Sequence, residues 1–235
     1  MKTKIMVSML VLLLGLGGAG FYMPAGDKEV ALAIKVIHEV SKKTGDIDWT
    51  TAKKGDFLFS GDQVRTLARS IALVKFKDNS ILRVRENTEL KIYAEQKDGK
   101  LQKNVNVTRG QFTFDIQKQE NEVFTFTSPT SVAAIRGTAG NMGFNIDGDM
   151  ITVLHGLVNL FNSISKNAVD VGEGQTGVSN KDGTIYVRDA SQNEKDDAQN
   201  SLNTSHDRGK IQELSLQLRD KGGNTKHLKI QYHGK

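Results

Sequence analysis

The chain has 235 residues, a formal net charge of +5 and no cysteine. This length fits one large or two small domains. The missing cysteine excludes disulfides, a catalytic thiol, a lipobox anchor and any thiolate metal site. The positive charge is mild and spread along the chain, so it does not argue for nucleic-acid binding. The 23 glycines among β-branched and aromatic residues favour short strands joined by tight turns.

The first 25 residues predict an apolar export helix. Met1–Lys4 is basic, the run from Ile5 to Leu16 is uncharged and apolar, and small residues follow it. This order is typical of a secretory signal peptide. The uncharged stretch approaches the ~20 residues that a membrane-spanning helix needs, so an uncleaved N-terminal anchor is the alternative. Both alternatives predict a periplasmic or extracellular protein, which contacts the membrane only if this segment is uncleaved.

Residues 26–188 carry the pattern of one β domain. Apolar and polar residues alternate with a period of two, as in Ala72, Val74 and Phe76, and turn signals recur every ~8–12 residues. The first such run, between Glu29 and Val40, fits a strand or a short helix. No long amphipathic helical pattern interrupts the series, which argues against a βαβ sheet. The pattern predicts a mainly β sandwich, barrel or solenoid with one contiguous core.

The chain changes character after residue 188. Residues 189–210 are polar and charged, with Leu202 as their only large aliphatic residue. Such a segment buries too little apolar surface to offset its ordering entropy, so we expect a linker, which can include a frayed helix. In residues 211–235, two alternating apolar runs flank the turn Lys221–Asn224, which predicts a β-hairpin. A lone hairpin is marginal in water, so we expect it to dock on the main sheet or on a partner.

The segment Ser128–Asn141 is the most distinctive in the chain. It places Arg136 between the apolar stretch Val132–Ile135 and a Gly-Thr turn. Two roles are open for this arginine. It can recognise a carboxylate, a sugar or a partner backbone, or its five donors can satisfy the carbonyls of neighbouring loops. We favour the structural role, because a glycine-flanked arginine in a turn-rich β fold often joins neighbouring loops.

Four turn motifs follow one another along the chain. They are Gly61-Asp62 with Thr66, Asp78-Asn79-Ser80, Arg136-Gly137-Thr138, and the run Val153–Val158 around Gly156. On these motifs, the region from about residue 45 to residue 178 resembles the FecR domain family, in which corresponding turns recur in the same order. Asn79 replaces the usual glycine of the second turn, and Asn tolerates this place because it accepts a positive φ.

The resemblance implies an exported all-β module in which two sheets form a flattened, solenoid-like or sandwich-like arrangement. Family members include transmembrane sensors that pair with sigma factors and receive signals from outer-membrane transporters. Only Met1–Lys4 precedes the apolar run, so we expect no cytoplasmic anti-sigma segment and do not transfer the regulator role. The residues that the resemblance marks as structural or partner-binding are Gly61, Asp62, Thr66, Asp78, Ser80, Arg136, Gly137, Thr138 and Gly156.

No catalytic, cofactor-binding or metal-binding residue is predicted. The five histidines show no zinc-ligand spacing, and no Asp-x-Asp-x-Asp-Gly calcium loop occurs. Ser163–Lys166 matches Ser-x-x-Lys, but it follows a strand pattern and lies in a loop-like stretch. A pair of glycosidase carboxylates is defined by its separation in space, so such a site stays open as an alternative.

These observations together predict an exported, non-catalytic binding module of the bacterial cell envelope with a link to envelope sensing. Its expected partner is another envelope protein or a cell-wall component, and we expect no cofactor and no nucleic acid. The first alternative is an adhesin or a cell-wall glycan-binding protein. The second is an envelope hydrolase with an unrecognised carboxylate site.

Overall fold

The structure is a computed structural model. It describes residues 29–97, 100–120, 122–206, 211–219 and 225–233. The apolar helix expected as a signal peptide or anchor lies outside these residues. Among the residues that are described, no helix is long and apolar enough to cross a membrane.

Strands make up most of the described residues, which confirms the predicted mainly β class. The strands of the β domain are β1 Glu29–Ile37, β2 Val40–Lys43, β3 Thr50–Thr51, β4 Phe57–Phe59, β5 Gln63–Thr66, β6 Ile71–Phe76, β7 Ile81–Val84, β8 Glu89–Lys97, β9 Lys100–Ile116, β10 Glu122–Thr127, β11 Ser131–Ile135, β12 Thr138–Phe144, β13 Gly148–His155, β14 Leu157–Asn162, β15 Ala168–Gly172, β16 Gln175–Asn180 and β17 Ile185–Asp189. They are followed by helix α1, Gln192–His206, and by a hairpin of β18, Ile211–Arg219, and β19, Thr225–His233.

The 17 strands of the β domain form two open sheets that share strand β9. Sheet I has the order β4-β1-β6-β7-β9-β12-β13-β16-β17. Sheet II has the order β3-β2-β5-β8-β9-β10-β11-β14-β15. The chain crosses repeatedly from one sheet to the other, so the two-sheet arrangement implied by the resemblance is confirmed.

Strand β9 passes from one sheet to the other at Gly110. Its first part pairs with β8 and β10 in sheet II, and its last seven residues pair with β12 in sheet I. Gly110 has φ +104°, and a Cβ there would lie only 2.3 Å from the hydroxyl oxygen of Thr88. A residue with a side chain would therefore meet both backbone strain and a steric clash at this corner.

One contiguous core fills the space between the sheets, as the alternation predicts. Five phenylalanines pack against one another at its centre. The ring of Phe126 in β10 lies 4.7 Å from that of Phe112 and 5.1 Å from that of Phe114, both in β9, measured between centroids. Phe124 packs against Phe76 at 5.1 Å. These edge-to-face contacts join the inner faces of the two sheets.

Helix α1 occupies most of the segment that was expected to be a linker, and this expectation was wrong for that stretch. The helix packs on the outer face of sheet I, against β7, β9, β12 and β13. It buries Ala198, Ser201 and Ser205, and the hydroxyls of Thr113 and Ser201 lie 2.6 Å apart. Small residues on a polar sheet face hold this helix, whereas the expectation counted only large apolar side chains.

A capping box begins helix α1. The backbone N–H of Ser191 donates to a carboxylate oxygen of Glu194 at 2.8 Å, and the N–H of Glu194 donates back to the Ser191 hydroxyl at 3.3 Å. Arg188 donates to both carboxylate oxygens, at 2.7 and 2.8 Å. Mainly through Arg188, the pKa of Glu194 falls to about 2. The Ser-x-x-Glu spacing was a helix-start signal that the sequence analysis missed.

The two other expectations for single elements are confirmed. The run from Glu29 is a strand, which ends where His38 adopts φ 56° before β2 begins. Strands β18 and β19 form the expected hairpin, in register from the pair Ile211 and His233 to the pair Arg219 and Thr225. Within the described ranges, β18 and β19 pair only with each other.

Candidate functional site

Most of the residues marked by the resemblance lie along one lateral edge of the sandwich. The strand registers align the β4–β5 and β6–β7 turns, the end of β9, and the β11–β12 and β13–β14 turns. We call this line of turns the motif edge. Its marked residues are Gly61, Asp62, Asp78, Ser80, Arg136, Gly137, Thr138 and Gly156. Thr66 lies at the opposite edge, where its hydroxyl accepts a hydrogen bond from the backbone N–H of Thr88 at 3.1 Å.

Asp78 anchors the β6–β7 turn through a buried ion pair. One carboxylate oxygen accepts the N–H of Ser80 at 3.0 Å, and the other lies 2.7 Å from Nζ of Lys103. The side chains of Lys103 and Asp78 are only 2% and 5% exposed. Burial alone would raise the pKa of Asp78, but the hydrogen bonds from Lys103 and Ser80 outweigh burial and lower this pKa. Asn79 has φ 70°, which confirms its expected tolerance of the turn.

The remaining turns of the motif edge are also held by internal contacts. Gly61 has φ +93°, and the carboxylate of Asp62 accepts the N–H of Phe59 at 2.9 Å. The Thr138 hydroxyl donates to the carbonyl of Leu157 at 3.0 Å. A Cβ on Gly156 would lie 2.6 Å from that hydroxyl oxygen. These residues shape the corners between the sheets, so their contacts are structural.

Arg136 does not make the contacts that its structural role required. Its side chain is exposed, and its guanidinium has no hydrogen bond or ion pair within the described part of the chain. Its carbonyl accepts a hydrogen bond from the Thr138 hydroxyl at 3.2 Å, so only its backbone supports the turn. The hypothesis that its donors satisfy neighbouring loops is not supported by this geometry, and the side chain is available to a partner.

The described part of the chain has several hollows, and two of them are lined by polar groups suited to a ligand. The larger, of about 420 Å³, is bounded by α1 and the edge of sheet I beside the β5–β6 connection. We call it the arginine groove. Its charged lining residues are Arg69, Arg83, Arg85, Glu86 and Asp197. The smaller hollow, of about 260 Å³, lies on sheet II and includes Tyr93, Gln102, Asn104, Val123 and Thr125. Neither hollow could be predicted from the sequence, because each is lined by residues from elements that are distant in the chain.

The structure offers no metal centre in the part of the chain that it describes, where no three His, Cys, Asp or Glu side chains group suitably. Asp149 is a buried carboxylate at the edge opposite the motif edge. Burial raises its pKa, and the hydrogen bond donated by the Ser128 hydroxyl opposes this rise only in part. The Ser128 oxygen also accepts the N–H groups of Thr130 and Ser131, so this serine organises the turn of the Ser-Pro-Thr motif.

The comparisons with known proteins concern the β domain. Residues 62–159 match the family model described as FecR protein. Two crystal structures of a candidate anti-sigma factor from Parabacteroides distasonis ATCC 8503 are similar, with TM-scores of 0.47 and 0.46 and identities of 13% and 12%. Each match covers 54% of this chain and 59% of that chain. No curated protein matches. The predicted resemblance to the FecR family is confirmed by the family model, which matches residues 62–159.

Proposed function

We propose that this chain is an exported, non-catalytic interaction module of the bacterial cell envelope that takes part in envelope sensing. The match of residues 62–159 to the FecR family model is the observation that carries this proposal. The contacts of the motif edge support it, because they join residues of the scaffold to one another and leave partner binding to another surface.

The C-terminal hairpin is the element that we assign to partner binding. Its two strands of nine residues pair with each other and with no other strand in the described ranges. The outer side of each strand therefore presents unpaired backbone groups, which template the addition of another strand. A two-stranded sheet is marginal alone, so an added strand from an envelope protein would also stabilise it.

Removal of the hairpin tests this proposal. The full chain and a variant without residues 211–235 are expressed in the bacterium, crosslinked in native envelopes and purified for mass spectrometry. The full chain should be found in the envelope fraction with one reproducible envelope protein, and the truncated chain should lose it. Ile146→Ser, which changes a 79% exposed residue in the β12–β13 turn, is the control and should keep the partner. A cytoplasmic location, or equal capture by the truncated chain, would contradict the proposal.

Glycan binding is a second candidate function, favoured by the hollow on sheet II. Tyr93 is 39% exposed there and offers an apolar ring, while Gln102 offers an amide group. Sugars bind to such combinations of an aromatic face and planar polar groups. Titration of cell-wall glycan fragments into the full chain tests this candidate. Saturable binding that Tyr93→Ala abolishes would support it, and an absence of saturable binding would remove it.

A further inference from the structure

We propose that the arginine groove binds an oxyanion, the carboxylate or phosphate group of a small ligand. This site is separate from the hairpin of the proposed function, so either can fail without the other. The groove has a volume of about 420 Å³, within the range of small-ligand sites. It is bounded by the connection between β5 and β6, by β7 and by the side of α1 next to the sheet.

The charges in the groove do not balance. Three arginines, Arg69, Arg83 and Arg85, face two carboxylates, Glu86 and Asp197, so one positive charge is in excess. The carboxylate of Asp197 already accepts from Arg85 at 2.5 Å and from the amide of Asn141. The carboxylate of Glu86 accepts the backbone N–H of Arg69. The two acids are thus engaged without neutralising the guanidinium of Arg83.

Arg83 is the centre of the proposed site. Its side chain is only partly exposed and has no hydrogen bond or ion pair with any other described residue. Burial and the nearby Arg85 both lower its pKa, as expected for a cation that lacks a counter-charge. Its planar fork matches the geometry of a carboxylate or a phosphate, and a bound anion would relieve the repulsion between the two arginines.

Further donors surround this guanidinium. Arg69 lies at the rim with an exposed side chain that has no partner in the described ranges. Asn200 extends from α1 into the lining, and its amide is also exposed without a hydrogen bond among the residues described. An oxyanion in the groove can therefore meet two charged donors from the sheet side and a neutral donor from the helix. This arrangement distinguishes the groove from isolated surface arginines.

Titration of the full chain tests the site. Inorganic phosphate and citrate are titrated separately by calorimetry, with chloride at matched ionic strength as the blank. We expect saturable binding of at least one anion, and the one that binds identifies the ligand's group as phosphate or carboxylate. Arg83→Gln should weaken that binding by about tenfold or more, because it removes charge-assisted hydrogen bonds. Arg83→Lys should weaken it less, since it keeps the charge but loses the fork.

Arg136→Gln is the matched control, because Arg136 is an exposed arginine without a partner in the described ranges but lies on the motif edge. It should leave the affinity within about twofold. Urea unfolding of each variant shows that the fold is intact. No saturable binding of either anion, or equal weakening by Arg83→Gln and Arg136→Gln in folded proteins, would overturn the proposal.

Discussion

The motif edge and the arginine groove treat charge in opposite ways. At the motif edge, Asp78 and Lys103 form an ion pair whose two side chains are almost fully buried. In the groove, Arg83 is partly exposed and has no counter-charge among the described residues. The first arrangement stabilises the fold, whereas the second leaves the donors of the Arg83 guanidinium available to a ligand. The comparison teaches that the residues of the turn motifs mainly shape the corners between the sheets. The side chains that are available to a ligand lie elsewhere, in the arginine groove.

The two regions also differ in how the chain builds them. Apart from Gly61, the turns of the motif edge lie within the matched residues 62–159, and most of their hydrogen bonds join residues close in sequence or in an adjacent strand. The groove needs Asp197 and Asn200 from α1, which follows the matched residues 62–159. Substitutions should therefore change stability at the motif edge and ligand affinity in the groove.

Asp78→Asn should cause the largest loss of stability. The asparagine keeps the hydrogen bond to the N–H of Ser80, but it removes the negative charge that lies 2.7 Å from Nζ of the buried Lys103. We expect a loss of about 3 kcal/mol in the free energy of unfolding, measured with urea. Glu29→Gln, in the exposed pair with Lys77, is the control and should cost less than about 1 kcal/mol. Equal effects would show that the buried pair has no special role.

Gly156→Ala should be the next largest change. The residue has φ +91°, and its new Cβ would lie 2.6 Å from the Thr138 hydroxyl oxygen. We expect a loss of about 2 to 3 kcal/mol from backbone strain and the clash together. Gly61→Ala is the matched control, since Gly61 has φ +93° but an open space around its Cβ. It should cost about 1 kcal/mol from the backbone alone. Identical urea midpoints for the two variants would remove the clash from the explanation.

The buried carboxylates Asp78 and Asp149 should respond to pH with opposite signs. The folded pKa of Asp78 is lowered, so its stabilisation is present above its unfolded pKa and is lost as pH falls through the folded value. The folded pKa of Asp149 is raised, so its contribution is present at low pH and is lost as pH rises. Relative to the unsubstituted chain, Asp149→Asn should therefore gain stability as the pH rises from about 3 to about 7. As the pH rises through the acid part of that range, Asp78→Asn should lose stability relative to the unsubstituted chain. Parallel pH profiles would contradict these assignments.

Ser191→Ala should have the smallest effect on the whole domain. It removes the cap of α1, which costs about 1 kcal/mol, while the sheets keep their own core. Because α1 forms one wall of the groove, amide exchange should accelerate in α1 and phosphate affinity should fall, with little change at the motif edge. Gln199→Ala, an exposed change within the same helix, is the control and should leave both measurements unaltered. Faster exchange throughout the β domain would show that α1 is part of the core.

The sequence predicted the parts of this molecule that depend on local pattern. Period-two alternation identified strands such as β6, and the Asx residue Asp78 with Asn79 identified a turn that the structure confirms. Helix α1 was missed because it is held by Ala198 and two serines, which carry no apolar periodicity. The groove could not be predicted, since Arg83 and Asp197 are 114 positions apart in the sequence and meet only through sheet order and helix docking.

Photo-crosslinking from single cysteines tests the central claim, that a partner binds outside the motif edge. The natural chain has no cysteine, so one introduced thiol carries the crosslinker without further changes. Ser215→Cys places it on the hairpin, and Arg136→Cys places it on the motif edge. In intact cells we expect a specific adduct with one envelope protein from Ser215→Cys and none from Arg136→Cys. An adduct from Arg136→Cys alone would show that the motif edge is the binding surface.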